Sequence, residues 1–139
     1  MKRLFILLFF ATVLGSCSEK DCCVLPPELS EFHGEWDLVR LTNGFSQLDQ
    51  TGEAIGFTEK IIINAENKTF TRLINDSSEV SSVTNGIEGG REALILTDEQ
   101  MYHWYWFEQI DGKTHLLLYQ KCPIGAVLAD GSTYYYSKR

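Results

Sequence analysis

Glu59-Lys60-Ile61-Ile62-Ile63-Asn64-Ala65-Glu66-Asn67-Lys68-Thr69-Phe70-Thr71-Arg72-Leu73-Ile74 holds two β-prone runs, Glu59 to Ala65 and Lys68 to Ile74, around a tight Glu66-Asn67. Two such runs with a short polar connection read as a hairpin. The rhythm continues in both directions. Upstream, His33 to Thr42 is a strand candidate followed by Asn43-Gly44. Downstream come Glu79 to Thr84, Arg91 to Thr97, Met101 to Gln109, and Lys113 to Lys121 after the turn Asp111-Gly112. Thr133 to Lys138 closes the series after Asp130-Gly131. That makes about eight short strands and no segment with helical periodicity. The expectation is an all-β chain, a small antiparallel up-and-down barrel, because closure removes the two exposed edges an open sheet would leave.

The two ends of this series carry a resemblance. Phe32-His33-Gly34-Glu35-Trp36-Asp37-Leu38-Val39 resembles the Gly-x-Trp opening strand of lipocalins. Ala129-Asp130-Gly131-Ser132-Thr133-Tyr134-Tyr135-Tyr136-Ser137-Lys138-Arg139 is similar to the Asp-Gly, Tyr, Arg close of small lipocalin-like lipoproteins of Bacteroidota. The resemblance implies that Trp36 seals the closed end of a lipocalin-like barrel and that Arg139 packs over its ring, a cation–π contact of about 0.5 to 2 kcal/mol. Lipocalins proper are longer and carry a helix after the barrel, whereas this chain stops at Arg139, so the resemblance is to the lipocalin-like subset.

Ahead of the strands stands a different kind of sequence. Lys2 and Arg3 precede an apolar run from Leu4 to Leu14 that ends in Leu14-Gly15-Ser16-Cys17. A charged start, a short apolar core and a small-residue cleavage site are the parts of a secretion signal, and the run is about half the length that spans a bilayer. Leu14-Gly15-Ser16-Cys17 resembles the lipobox of bacterial lipoproteins, which implies cleavage before Cys17 and acylation of that residue. Two or three acyl chains make such an anchor durable. Ser18-Glu19-Lys20-Asp21 resembles the start of lipoproteins sent to an outer membrane and, as an acidic cluster, the surface-export signals of Bacteroidota; it reads equally as a solvated linker. The expected organisation is a signal peptide over residues 1–16, a lipidated tether over 17–29 that includes Pro26-Pro27, and the barrel over 30–139. The expected place is the cell envelope, with the protein lipid-anchored at the outer membrane.

Removing Lys2 and Arg3 takes the formal charge from −7 to about −9. With no basic cluster beyond Lys138-Arg139, nucleic acid is not an expected partner. His33, His103 and His115 are scattered singly, and no Cys-x-x-Cys, Gly-x-Ser-x-Gly elbow or phosphate-cradling loop followed by a helix is present. No metal, cofactor or catalytic residue is therefore expected, and the chain reads as a non-enzyme. In an oxidising envelope Cys22 or Cys23 could bridge to Cys122, an arrangement that leaves one thiol free or paired with another molecule.

Fourteen of the seventeen aromatic residues lie beyond the signal. An eight-stranded barrel is just wide enough to be filled by side chains or to hold one small ligand, and so many rings go far towards filling it. The densest run is Met101-Tyr102-His103-Trp104-Tyr105-Trp106-Phe107. Alternation puts Tyr102, Trp104 and Trp106 on one face and Met101, His103, Tyr105 and Phe107 on the other. One aromatic face meets the core. The other, Tyr102, Trp104 and Trp106, is a candidate contact for a ligand or envelope partner, unless a loop such as Asn43 to Thr58 folds over it as a lid. Two functions follow: an anchored barrel that binds a small apolar or amphipathic ligand, or a packed barrel that presents an aromatic surface to a protein or glycan.

Overall fold

The computed structural model describes residues 28–139. Its nucleus is the hairpin of β3 (Glu59–Asn64) and β4 (Thr69–Ile74), paired from Glu59 opposite Ile74 to Asn64 opposite Thr69. Burial alternates along β3, with Ile61 and Ile63 fully enclosed and Lys60, Ile62 and Asn64 partly open. The connection is four residues rather than a tight Glu66-Asn67 pair. Asn64 Oδ1 accepts the Asn67 N–H at 3.1 Å, and Lys68 takes a positive φ of 51° to re-enter the sheet.

Around this hairpin lie β1 (Gly34–Asn43), β2 (Leu48–Thr51), β5 (Ser77–Glu88), β6 (Arg91–Leu96), β7 (Met101–Ile110), β8 (Lys113–Tyr119), β9 (Cys122–Pro123) and β10 (Thr133–Lys138). Pairing runs β1-β3-β4-β5-β6-β7-β8-β10 and returns from β10 to β1, entirely antiparallel. The fold is a closed eight-stranded, lipocalin-like barrel. The short β2 and β9 attach outside the ring, to β1 and β7. Two segments differ from the expected pattern. β5 runs through Asn85-Gly86 instead of stopping at Thr84, because Gly86 leaves room for Ile95 of β6: a Cβ there would stand 2.6 Å from Ile95 Cδ1. Residues 43–58 are not an open loop, since they hold β2 and a 3-10 turn at Gly52–Ile55.

One end of the barrel is plugged. A 3-10 turn at Ser30–Phe32 places Leu29 and Phe32 over it, both fully buried, and Trp36 Nε1 donates to the Phe32 carbonyl at 2.8 Å. Phe32 meets Tyr105 edge to face at 4.7 Å and Phe107 at 5.2 Å, the offset arrangements that aromatic quadrupoles favour.

The cation over Trp36 is Lys138, not Arg139. The reason is register. Trp36 and Lys138 are directly opposite on β1 and β10, so both lie on the same face of the sheet, and Lys138, itself exposed at the barrel's end, holds Nζ 5.1 Å from the ring centroid. Arg139 falls on the other face, 64% exposed, with its guanidinium 3.5 Å from both Glu35 and Asp37. Gly34 completes the seal, with φ at 128° and Lys138 Cε 3.3 Å from where a Cβ would stand.

Candidate functional site

The opposite end is the mouth. β1 is bonded to β3 only through Asp37 and takes β2 as its neighbour from Arg40 onwards. Residues 52–58 bridge the two neighbours, and between them lies an open cleft of about 670 Å³. Leu38, Ile55 and Phe57 form its apolar wall, and Asp37, Glu53 and Asn75 its polar one.

Behind the cleft the barrel is crossed by charge. Glu59 follows the inward alternation of Ile61 and Ile63, and its side chain has no exposed surface. Arg72 is cross-strand from Ile61, hence diagonal to Glu59, and grips it with Nε to Oε1 at 2.8 Å and Nη2 to Oε2 at 2.9 Å. The Tyr136 hydroxyl also donates to Glu59 Oε1. Burial opposes the charge on Arg72, but the Glu59 carboxylate more than compensates and holds its pKa above the ordinary value. Tyr134 and Tyr136 titrate above the usual phenol range, chiefly because they are buried.

On the far side stands a second group. Lys121 Nζ donates to Glu99 Oε2 at 2.6 Å, and the Ser81 hydroxyl donates to Glu99 Oε1. These two bonds, with Lys121 first, hold the Glu99 pKa below the ordinary carboxyl value. Between the groups lies His103, 5% exposed and stacked on Phe70 at 6.0 Å. Its Nδ1 lies 2.7 Å from the Tyr119 carbonyl, an acceptor only, so Nδ1 carries the proton and Nε2 presents a lone pair. Burial, helped by Arg72 and Lys121, lowers the His103 pKa to about 4.

The barrel is therefore not hollow. The void enclosed by Phe70, Leu96, His103 and Lys121 has no room for a water molecule. Among the described residues, space lies in the cleft at the mouth, in a recess of about 250 Å³ behind Arg72, and in a hollow of about 410 Å³ beside Glu79, Ser81 and Lys121.

The outer aromatic face does not serve as expected. Tyr102 and Trp104 are 1% and 7% exposed, and of the three candidates only Trp106, at 42%, reaches solvent. The cover is not residues 43–58. It is the connection after β8, which folds back through β9 and brings Cys122 and Leu128 against Tyr102 and Trp104. Tyr102 donates to the Ala126 carbonyl at 2.6 Å, and Trp104 Nε1 to that of Glu88 at 2.7 Å. Burial first, and then Cys122, push the Tyr102 phenol up to about 12. The Tyr119 hydroxyl ties the connection down, lying 3.0 Å from the Leu128 carbonyl and 2.6 Å from the Gly131 N–H it accepts.

Cys122 belongs to this covered cluster. Its thiol is free and buried among the described residues, donating to the Ala126 carbonyl at 3.4 Å. Its anticipated partners, Cys22 and Cys23, and the lipidation candidate Cys17 lie outside the described residues.

Sequence reading missed Glu59, Arg72, His103, Glu99 and Lys121 as a group. A signal was present in the hairpin itself: Glu59 shares the phase of Ile61 and Ile63, and Arg72 that of Phe70, two charges of opposite sign at inward positions. Comparison of the chain with protein-family models, with curated proteins and with solved structures gives no match.

Proposed function

We propose that this is a lipid-anchored protein of the cell envelope, held at the outer membrane through Cys17, whose barrel binds a small amphipathic ligand at its mouth and has no catalytic role. The cleft beside β1 carries the reading. Its volume of about 670 Å³ falls within the roughly 300 to 1,000 Å³ of small-molecule sites. Its apolar wall faces carboxylates and an amide, a lining that suits a ligand with one greasy and one polar part. The tether is compatible with this use. Leu29 is packed at the plugged end and Glu28 lies 3.4 Å from Lys68 beside it, so a chain arriving from Cys17 joins the barrel away from the mouth. Presentation of an aromatic surface has lost its support, since two of the three rings are covered.

The test uses the neutral apolar probe N-phenyl-1-naphthylamine. Saturable binding at one site is expected, weakened about tenfold or more, equivalent to about 1.4 kcal/mol, when Phe57→Asp places a charge on the apolar wall. Probe binding that is absent or indifferent to Phe57→Asp overturns the reading. Native mass spectrometry of protein purified from envelope would then name a co-purifying ligand directly. Cys17→Ser is expected to release the protein from the membrane fraction, and a variant still anchored refutes the lipobox assignment.

A further inference from the structure

His103 Nε2 is a buried lone pair with no hydrogen-bond partner among the described residues. Buried polar groups in folded proteins are nearly always paired, and an exception asks for an explanation. Its setting supplies one. His103 lines the recess of about 250 Å³ together with Arg72, Met101, Gln120, Lys121 and Tyr134.

Most of that lining offers protons. Glu59 engages Arg72 through Nε and Nη2, and the guanidinium also interacts with the Tyr134 hydroxyl beside it. Glu99 takes one of the three protons of Lys121. Gln120 uses its Oε1 on the Ser132 N–H, which leaves its amide protons, and the Tyr134 hydroxyl can give or accept. One residue with an unpaired buried lone pair thus shares the recess with a set of donors. The complementary group gives one proton and accepts several, and a carboxylic acid has that pattern.

Charge points the same way. The ionised groups around His103 are Glu59 on β3, Arg72 on β4, and Glu99 and Lys121 in the turns beside β7 and β8, two of each sign. Glu79 of β5 stands directly opposite Arg72 in the inward phase of Ser81 and borders the central void, with its own side chain exposed to solvent. The β10 phenols, Tyr134 and Tyr136, remain protonated because burial raises both. A bare carboxylate would leave this balanced set with an excess negative charge in a poorly solvated place, whereas a carboxylate that arrives with one proton leaves it neutral.

We propose that the recess takes the carboxyl head of a small amphipathic ligand together with one proton, shared between the carboxyl oxygen and His103 Nε2 and flanked by Arg72 and Lys121. This deepens the mouth-binding reading and rests on it. Free carboxylate and neutral His103 each lack the proton at pH 7, so it comes from solvent. Whether it settles on oxygen or nitrogen, one proton is consumed per ligand bound.

The experiment is calorimetry of the purified protein with octanoate and with 1-octanol. Titrations at pH 7 in two buffers of different protonation enthalpy count protons directly. About one proton should be taken up per octanoate, with affinity falling about tenfold for each pH unit between 6 and 8. Octanol should bind without proton uptake and without pH dependence. In His103→Gln, octanoate uptake should vanish. Octanoate bound without a proton, octanol bound in preference to octanoate, or uptake that persists in His103→Gln overturns the proposal and leaves mouth binding standing. Failure of octanoate, octanol and N-phenyl-1-naphthylamine alike overturns both. Should His103→Gln not fold, the two-buffer measurement on the unaltered protein decides alone.

Discussion

The two ends of the barrel solve the same problem with opposite materials. At the plugged end Phe32, Trp36, Tyr105 and Phe107 fill the bore with rings, and the cation at its rim, Lys138, lies over an aromatic face. At the mouth the bore is filled by Glu59, Arg72, His103 and Lys121, each held by a hydrogen bond. Rings stabilise by leaving water and tolerate no vacancy. Paired charges return little net stability over an apolar filling, yet each becomes costly once its partner is removed. A plug suits the first material. A place that must meet a polar ligand suits the second.

The sharpest way to break this contrast is Arg72→Met, which leaves Glu59 buried without its cation. Denaturant unfolding should show a loss of about 3 to 5 kcal/mol. The double variant Glu59→Leu with Arg72→Met should recover much of it, and failure to recover would mean that the mouth is held by packing as the plug is.

Acid offers the next test. His103 has a folded pKa of about 4 against an ordinary 6.5, so the unfolded chain binds more protons between those values. Stability is full above pH 6.5 and is lost as pH falls towards 4, by roughly 2 kcal/mol between pH 7 and pH 5. The lowered pKa of Glu99 acts in the same direction at more acid pH. Urea midpoints at pH 7 and pH 5 measure the loss, which His103→Gln should flatten, while variants at the plugged end should leave the slope unchanged.

Smaller effects dissect the plug. Gly34→Ala forces a side chain onto a positive φ and against Lys138, and should cost more than about 1 kcal/mol of unfolding free energy. Lys138→Met should remove about 0.5 to 1 kcal/mol, and Arg139→Met should stay within about 0.5 kcal/mol because its carboxylate contacts are exposed. Equal losses from the two would restore Arg139 as the sealing residue.

What the sequence disclosed follows the same division. Strand positions and the antiparallel order of neighbours are local or nearly so, written in alternation and turn residues, and closure follows from the two edges an open sheet would leave. The choice between Lys138 and Arg139 is a matter of register between strands about a hundred residues apart, and one step of slip exchanges the two faces. The cover over Tyr102 and Trp104 comes from a nearly structureless connection, residues 120–132, whose proline and glycines read as loop; its apolar run from Ala126 to Ala129 asks for cover but does not say where it lies. The charged floor was visible only as isolated residues. Glu59 and Arg72 stand in phase with isoleucine and phenylalanine, but Glu99, His103 and Lys121 join them through three different elements.

The change of neighbour along β1 divides that strand into two dynamic halves. Gly34 to Asp37 is bonded to β3 and β10, Arg40 to Asn43 to β2 and β10, and the β10 register shifts between Leu38 and Arg40. Regular pairing is interrupted on both sides of the strand within the same two residues. Amide exchange should therefore not protect β1 as one unit: the first half should open with the plug and the second with the small β2 flap. The ring is thus continuous in topology but notched in mechanics, and the notch borders the cleft where a ligand would press.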